Sequence, residues 1–257
     1  MRIAVLLVFS CFAAPLLLAA DSTESNAKTI ASLAFKYLQR HQNEDGSYGD
    51  TKQPESLVLK TALVVHCLAS SSWKYREHDG PFIQKAIAYL LKSQDAEGAF
   101  GTGERQTATT LLATQALAAS SGEAAVAARR KAEDWLRAKG APDPAKAKDP
   151  ALTATDSAGG PFRVRLDAVV AAIAAAGPDS AAALQKLSAE LKATQHAKDD
   201  TDDAYGSFRG EDPQALDADP VVATALAGRC ADLIKDNYKK LQSAATSGEK
   251  KPSEAAQ

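Results

Sequence analysis

Cysteine, methionine, histidine and aromatic side chains are all scarce in this chain of 257 residues: three Cys, one Met, four His, and aromatics at 6%. Each shortage excludes something. Cys11 sits in the apolar N-terminal run, which leaves Cys67 and Cys230, too few for a disulfide-built scaffold. Both fall inside helical patterns and read as buried small hydrophobes. The histidines at 41, 66, 78 and 196 are not in ligand spacing with one another, so no metal site is expected. A basic excess is also missing: the formal net charge is −2, which argues against nucleic acid as a partner. No phosphate-binding glycine loop and no nucleophile elbow occur, so no cofactor is expected and Ser/His/Asp catalysis has no support.

Long hydrophobic runs are confined to the N-terminus. Arg2 provides the positive end, Ile3 to Leu18 the apolar run, and Ala19-Ala20 the small residues before polar Asp21-Ser22-Thr23-Glu24. Residues 1–20 are therefore expected to be a signal peptide. Export to a periplasmic or extracellular space follows, with 237 residues left at a net charge of −3 and no membrane span in the mature chain.

Helical periodicity fills the remainder. Ile30, Leu33, Ala34, Tyr37 and Leu38 follow one helical face, and Phe82, Ala86, Ile87, Leu90 and Leu91 a similar one. No sustained strand alternation occurs, so the chain is expected to be all-α. A repeat is written into it. Tyr37-Leu38 and Tyr89-Leu90 each precede a Gln, an acidic turn and Gly-x-aromatic: Gln42 with Gly46-Ser47-Tyr48, and Gln94 with Gly98-Ala99-Phe100. A third copy has Trp135-Leu136, Gly140 in place of the Gln, and Gly160-Pro161-Phe162 after a long excursion. The fourth has Glu190-Leu191, Gln195 and Gly206-Ser207-Phe208. Periods of about fifty residues suit two helices and a loop. More uniformly apolar second helices are expected near 55–71, 105–120, 163–176 and 218–241, forming an inner ring inside more charged first helices. The motif residues read as staples between repeats: a turn glycine, an inserted aromatic, and a Gln satisfying helix ends. Residues 21–242 form the expected repeat domain. Lys139–Gly159 reads as a flexible insertion and 243–257 as a disordered tail.

These residues resemble the QW motif of the squalene cyclase and protein prenyltransferase superfamily, whose hairpins build an α/α toroid. The carriers are Ala34 to Leu38 with Gln42 and Gly46-Ser47-Tyr48, and Ala86 to Leu90 with Gln94 and Gly98-Ala99-Phe100. Tyr and Phe stand where the family has Trp. The resemblance implies a toroid, or an open arc, of about four hairpins.

The same resemblance supplies candidate chemistry. Asp200-Thr201-Asp202-Asp203 reads as the cyclase acid motif, making Asp200, Asp202 and Asp203 the candidate catalytic residues of a terpenoid cyclase-like enzyme. Such an acid must stay protonated in an apolar enclosure. Asp217-Ala218-Asp219-Pro220 is the nearest match to that motif's place at an inner helix start. The prenyltransferase zinc ligands have no counterpart. Exported relatives include the thioester domains of complement-like proteins, which use Cys-Gly-Glu-Gln; here Thr102-Gly103-Glu104-Arg105-Gln106 has no Cys, so a thioester cannot form there. Paired rim carboxylates among Glu44, Asp45, Asp95, Glu97, Asp202 and Asp203 would suit a carbohydrate-active enzyme. The staples survive while the reactive positions do not. The sequence therefore points first to a non-catalytic binding or scaffold module with a protein, lipid or glycan ligand, with the two enzyme readings as alternatives.

Overall fold

The computed structural model describes residues 13–144, 160–177, 179–210 and 215–248, and eight α-helices run through them with no strand. They are α1 (Ala13–Arg40), α2 (Pro54–Ser70), α3 (Pro81–Ser93), α4 (Gln106–Ala116), α5 (Glu123–Ala138), α6 (Pro161–Ala175), α7 (Ser180–Thr194) and α8 (Pro220–Gly248). The class is all-α. α1 crosses the expected cleavage point between residues 20 and 21 without a break, and α8 passes the expected domain end at 242. Residues 1–12 of the expected leader lie outside the described residues. So do 145–159 of the expected insertion and 249–257 of the expected tail.

Apolar pattern decides which helices lie inside. α2 is apolar on every side, and its residues from Leu57 to Leu68 are buried apart from Val58. α8 likewise buries Val221, Val222, Ala225, Leu226, Cys230 and Ile234. α3 and α5 bury one stripe each, Ile83, Ala86, Ile87 and Leu90 in the first, Ala125, Ala128, Ala132, Trp135 and Leu136 in the second. All-round burial against a single stripe is the difference between an enclosed helix and one that faces water.

The packing order is not hairpin by hairpin. α2 packs on α4 and α8, and α8 on α6, so the inner row reads α4, α2, α8, α6. Each outer helix lies against the inner helix preceding it in the chain: α3 on α2, α5 on α4, α7 on α6. α1, the first helix among the described residues, lies on α8, the last of them. Ala27, Ile30, Ala31, Ala34, Phe35 and Leu38 of α1 are all buried, and the ion pair Glu24–Lys239 (2.5 Å) ties its start to α8. No comparable contact joins α4 to α6 among the described residues, whose inner helices therefore read as a row. Consistent with that gap, α6 buries Phe162, Leu166 and Val169 but leaves Val164 61% exposed, short of the all-round burial expected of an inner helix.

The motif joins outer helix to outer helix. Gln42 Nε2 donates to its own turn at Gly46 O (3.0 Å) and across to Phe82 O of α3 (2.7 Å). Gln94 repeats this with Gly98 O (3.0 Å) and Ala128 O of α5 (2.8 Å). Gln195 does so with Gly206 O and with Ile30 O of α1, both at 3.1 Å. The glycines sit at φ +93°, +102° and +91°, where a side chain is strained. A Cβ at Gly46, Gly98 or Gly206 would also stand 2.2, 2.6 and 2.5 Å from the carbonyl oxygens of Lys85, Lys131 and Leu33, one turn beyond each Gln acceptor. Tyr48, Phe100 and Phe208 are buried. Their backbone N–H groups donate to Thr61, Thr110 and Thr224 of the inner helices, each at 2.9 Å.

The third copy departs from this plan. Gly140 replaces the Gln, and Gly160 has an extended backbone and opens α6, so Gly160-Pro161-Phe162 is a helix start and not the motif's turn. Phe162 is nevertheless buried against the Phe208 ring at 5.4 Å, and its N–H donates to Asp217 Oδ2 (2.9 Å).

Gly98→Ala, combining a left-handed backbone with a collision on Lys131 O, should cost at least about 2 kcal/mol in urea unfolding. Phe100→Ala should cost roughly 3–5 kcal/mol. Tyr48→Phe should lose nothing, because the buried Tyr48 hydroxyl has no hydrogen-bond partner among the described residues. A clear loss in that last variant would show that the hydroxyl is satisfied.

Candidate functional site

Inner helices α2, α4 and α8 present their N-terminal ends to one cleft of about 950 Å³. Proline at the first position of α2 and of α8 suits a helix start, where an N–H would lack a partner. The C-terminal end of α1 adds Tyr37 and His41, whose rings stack at 3.8 Å. The segment before α4 adds Thr102, Glu104 and Arg105, and that before α8 adds Arg209, Leu216 and Asp219.

The floor carries an ion pair. Lys60 on α2, 3% exposed, places Nζ 2.6 Å from Asp219 Oδ2. Asp219 Oδ1 accepts the Val221 N–H (2.8 Å) and so holds the first turn of α8 as well. Room for the lysine stem comes from Gly49 (φ +110°), where a Cβ would lie 2.6 Å from Lys60 Cδ. The residue before the capping threonine is Lys60 in the first repeat, Thr109 in the second and Ala223 in the last. The charge is thus peculiar to one copy. Beside the pair, burial, and then the nearby carboxylates of Asp219 and Asp203, raise the Tyr37 phenol to about 12. The phenol stays protonated at neutral pH.

The candidate acids lie in a different setting. Asp200 and Asp203 are exposed in the turn before Gly206, and Asp202 is partly so. Asp202 Oδ1 accepts the Ala204 N–H (2.9 Å) and its Oδ2 lies 2.8 Å from His196 Nε2. These hold its carboxyl below the usual range, the backbone bond contributing most. Asp199 is lowered in the same way by the Thr201 hydroxyl and N–H. Asp203 faces His41 Nε2 at 3.3 Å with a side chain 94% exposed. Hydrogen bonds to the charged form in water favour the carboxylate, whereas alkene protonation calls for an enclosed neutral acid. Asp45 and Asp95 spend Oδ1 on their own turns, at Ser47 and Ala99. Asp217 is buried at the start of α6. Of the acid pair singled out near α8, only Asp219 reaches the cleft.

Among the described residues no group of three or more His, Cys, Asp or Glu could hold a metal ion. Cys67 and Cys230 are buried in α2 and α8 and do not line the cleft. His66 is buried on α2. Sequence reasoning passed over Lys60, Arg105, Arg209 and the three threonines. The threonines carry a legible signal, a Thr on each inner helix after Gly-x-aromatic. Lys60 was legible only as a charge inside an otherwise apolar helix.

The family of A-macroglobulin TED domains matches this chain over residues 11–137, just under half of its length. That span holds α1 to α5, both crisp motif copies and the tract Thr102–Gln106. The finding corrects the resemblance to squalene cyclases and protein prenyltransferases, a different family. Gln and Gly-x-aromatic spacing expresses how hairpins pack, so it does not separate families that share such packing. No curated protein and no solved structure matches the chain.

Two measurements probe the cleft. Asp219→Ala should cost roughly 3 kcal/mol or more by leaving buried Lys60 unpaired, and Lys60→Met much less, since Asp219 keeps its helix-capping role and some water. Equal losses in chemical denaturation would contradict the pairing. The second concerns alkali. The unfolded chain releases a tyrosine proton near about 10, whereas folded Tyr37 holds it to about 12, and burial raises Tyr48 as well. Deprotonation therefore favours the unfolded chain: stability is level below about pH 10 and falls as pH rises above it. Tyr37→Phe and Tyr48→Phe should each flatten that decline in urea midpoints measured across the range.

Proposed function

We propose that the chain is an exported, non-catalytic ligand-binding module related to A-macroglobulin TED domains, and that the cleft at the starts of α2, α4 and α8 is where it binds. One observation carries the reading. Thr102, Glu104 and Arg105, of the tract compared above with the Cys-Gly-Glu-Gln of complement-like thioester domains, lie on that cleft. Thr102 cannot form a thioester, so covalent capture through this tract is not available. A cleft of this size, lined largely by polar and charged side chains with an aliphatic patch at Leu59, Leu216, Pro220 and Val221, is suited to reversible binding of a polar ligand. No helix among the described residues is long and apolar enough to cross a membrane, which agrees with a module released on export. The exposure of Asp200 and Asp203, and the hydrogen-bonded, partly exposed carboxylate of Asp202, support binding over acid catalysis.

The test uses the mature chain, residues 21–257, immobilised and exposed to the exported fraction of its source cell. Ligand should be retained by the wild type and lost from an Arg105→Ala, Arg209→Ala double variant of unchanged thermal stability. Methylamine, which opens thioesters, should leave the intact mass unaltered. Retention indifferent to both arginines, or a methylamine adduct within 102–106, would overturn the proposal.

A further inference from the structure

We propose that the floor of this cleft is a carboxylate-binding subsite and that its ligand is an extended peptide, held through a terminal or side-chain carboxylate. The inference rests on the binding reading above and adds the ligand's chemistry. It starts from hydrogen-bond supply. Tyr37 is 6% exposed and lines the cleft, yet its hydroxyl makes no hydrogen bond among the described residues. The hydroxyl opens onto the cleft, where a ligand oxygen can take the place of water as its acceptor. Lys60 Nζ has three N–H groups, and Asp219 Oδ2 is the one acceptor it reaches among the described residues. Asp219 receives Lys60 on one oxygen and the Val221 N–H on the other, and its side chain is only 15% exposed. The unused hydrogens at the floor, on Tyr37 and Lys60, are donors.

The walls extend the same polarity. Arg105 and Arg209 line the cleft, are exposed, and have no ion-pair or hydrogen-bond partner among the described residues. The acids nearby do not cancel this. Asp219 is paired with Lys60, and Asp50 turns into its own loop to accept the Lys52 N–H (2.9 Å). Glu55 and Glu104 are exposed in the first turns at the starts of α2 and α4, where water screens them and the helix ends favour them. A carboxylate brings only acceptor oxygens, which matches donors at the floor and guanidinium groups above.

Peptide is favoured over sugar by what surrounds those donors. Leu59, Leu216, Pro220 and Val221 give the cleft an aliphatic surface suited to small apolar side chains. A sugar ring gains most from an open aromatic face, and here the Tyr37 ring is buried and covered by His41. Trp73, the exposed ring, lies off the cleft beneath Lys235 (4.6 Å).

The experiment presents three pools of synthetic peptides of otherwise random sequence to the mature chain. One has free C-termini and no Asp or Glu, one has amidated C-termini with Asp and Glu, and one is amidated without acids. A neutral oligosaccharide panel runs beside them. Retention of either carboxylate-bearing pool with about tenfold weaker retention of the third is the expected result. Tyr37→Phe, which removes no bond made within the described protein, should weaken the retained peptides by about tenfold while leaving the thermal midpoint unchanged. Equal retention of all three pools, insensitivity to Tyr37→Phe, or retention of oligosaccharide alone would each overturn the inference. Should oligosaccharide binding be lost on changing Arg105 and Arg209, the cleft would still be the binding site and only the carboxylate assignment would fall. Retention of nothing at all would overturn both.

Discussion

A single close approach organises this fold: the motif glycine seated on the carbonyl of the next outer helix, with a glutamine bridging the same two segments. Gly46 against Lys85, Gly98 against Lys131 and Gly206 against Leu33 leave no space for a Cβ. Each glutamine amide then has one bond inside its own turn and one to the neighbouring helix. The glycine sets the distance and the amide sets the register. A carbonyl approached this closely would lose solvent, and a buried backbone acceptor must be satisfied locally. Each Gln supplies the donor to a carbonyl one turn earlier. The last of these contacts falls on α1, which is how a helix near one end of the chain becomes the neighbour of α7 and α8 near the other.

The cleft is a consequence of that scaffold. Because every motif loop crosses from an outer helix to the start of an inner one, the N-terminal ends of α2, α4 and α8 collect on one side. The threonines that receive the aromatic N–H groups fix those ends axially. A lysine at the position before the first of them must then point among the helix starts, where Asp219 meets it. Lys60 would be costly to bury alone, and Asp219 is already committed to capping α8, so the pair couples α2 to α8 at the floor. The site is polar where the repeat breaks its own pattern, and apolar where it keeps it.

Where the repeat erodes, its staple is lost among the described residues. Gly140 stands in the glutamine's place in the third copy, and among the described residues no staple of this kind forms there and no contact between α4 and α6 compares with those along the row. The Gly-x-aromatic spelling at 160–162 looked equivalent to the other three, but its backbone is extended and begins a helix. Spelling alone does not carry φ. The acidic turn at 199–203 is a similar case. It matches a reactive motif in letters, while its carboxylates are bonded to their own backbone in water.

By itself the sequence determined the helical class, the start of each inner helix to within a few residues, and the staple's parts, because periodicity and turn chemistry act over a few neighbouring residues. It could not say which helix would receive each staple, since Phe82, Ala128 and Ile30 stand 40, 34 and 165 residues from their glutamines. It also could not place Lys60 beside Asp219, or turn Tyr37 onto the floor of a cleft. Those outcomes arise where separate helix ends meet in space, and only packing brings them together.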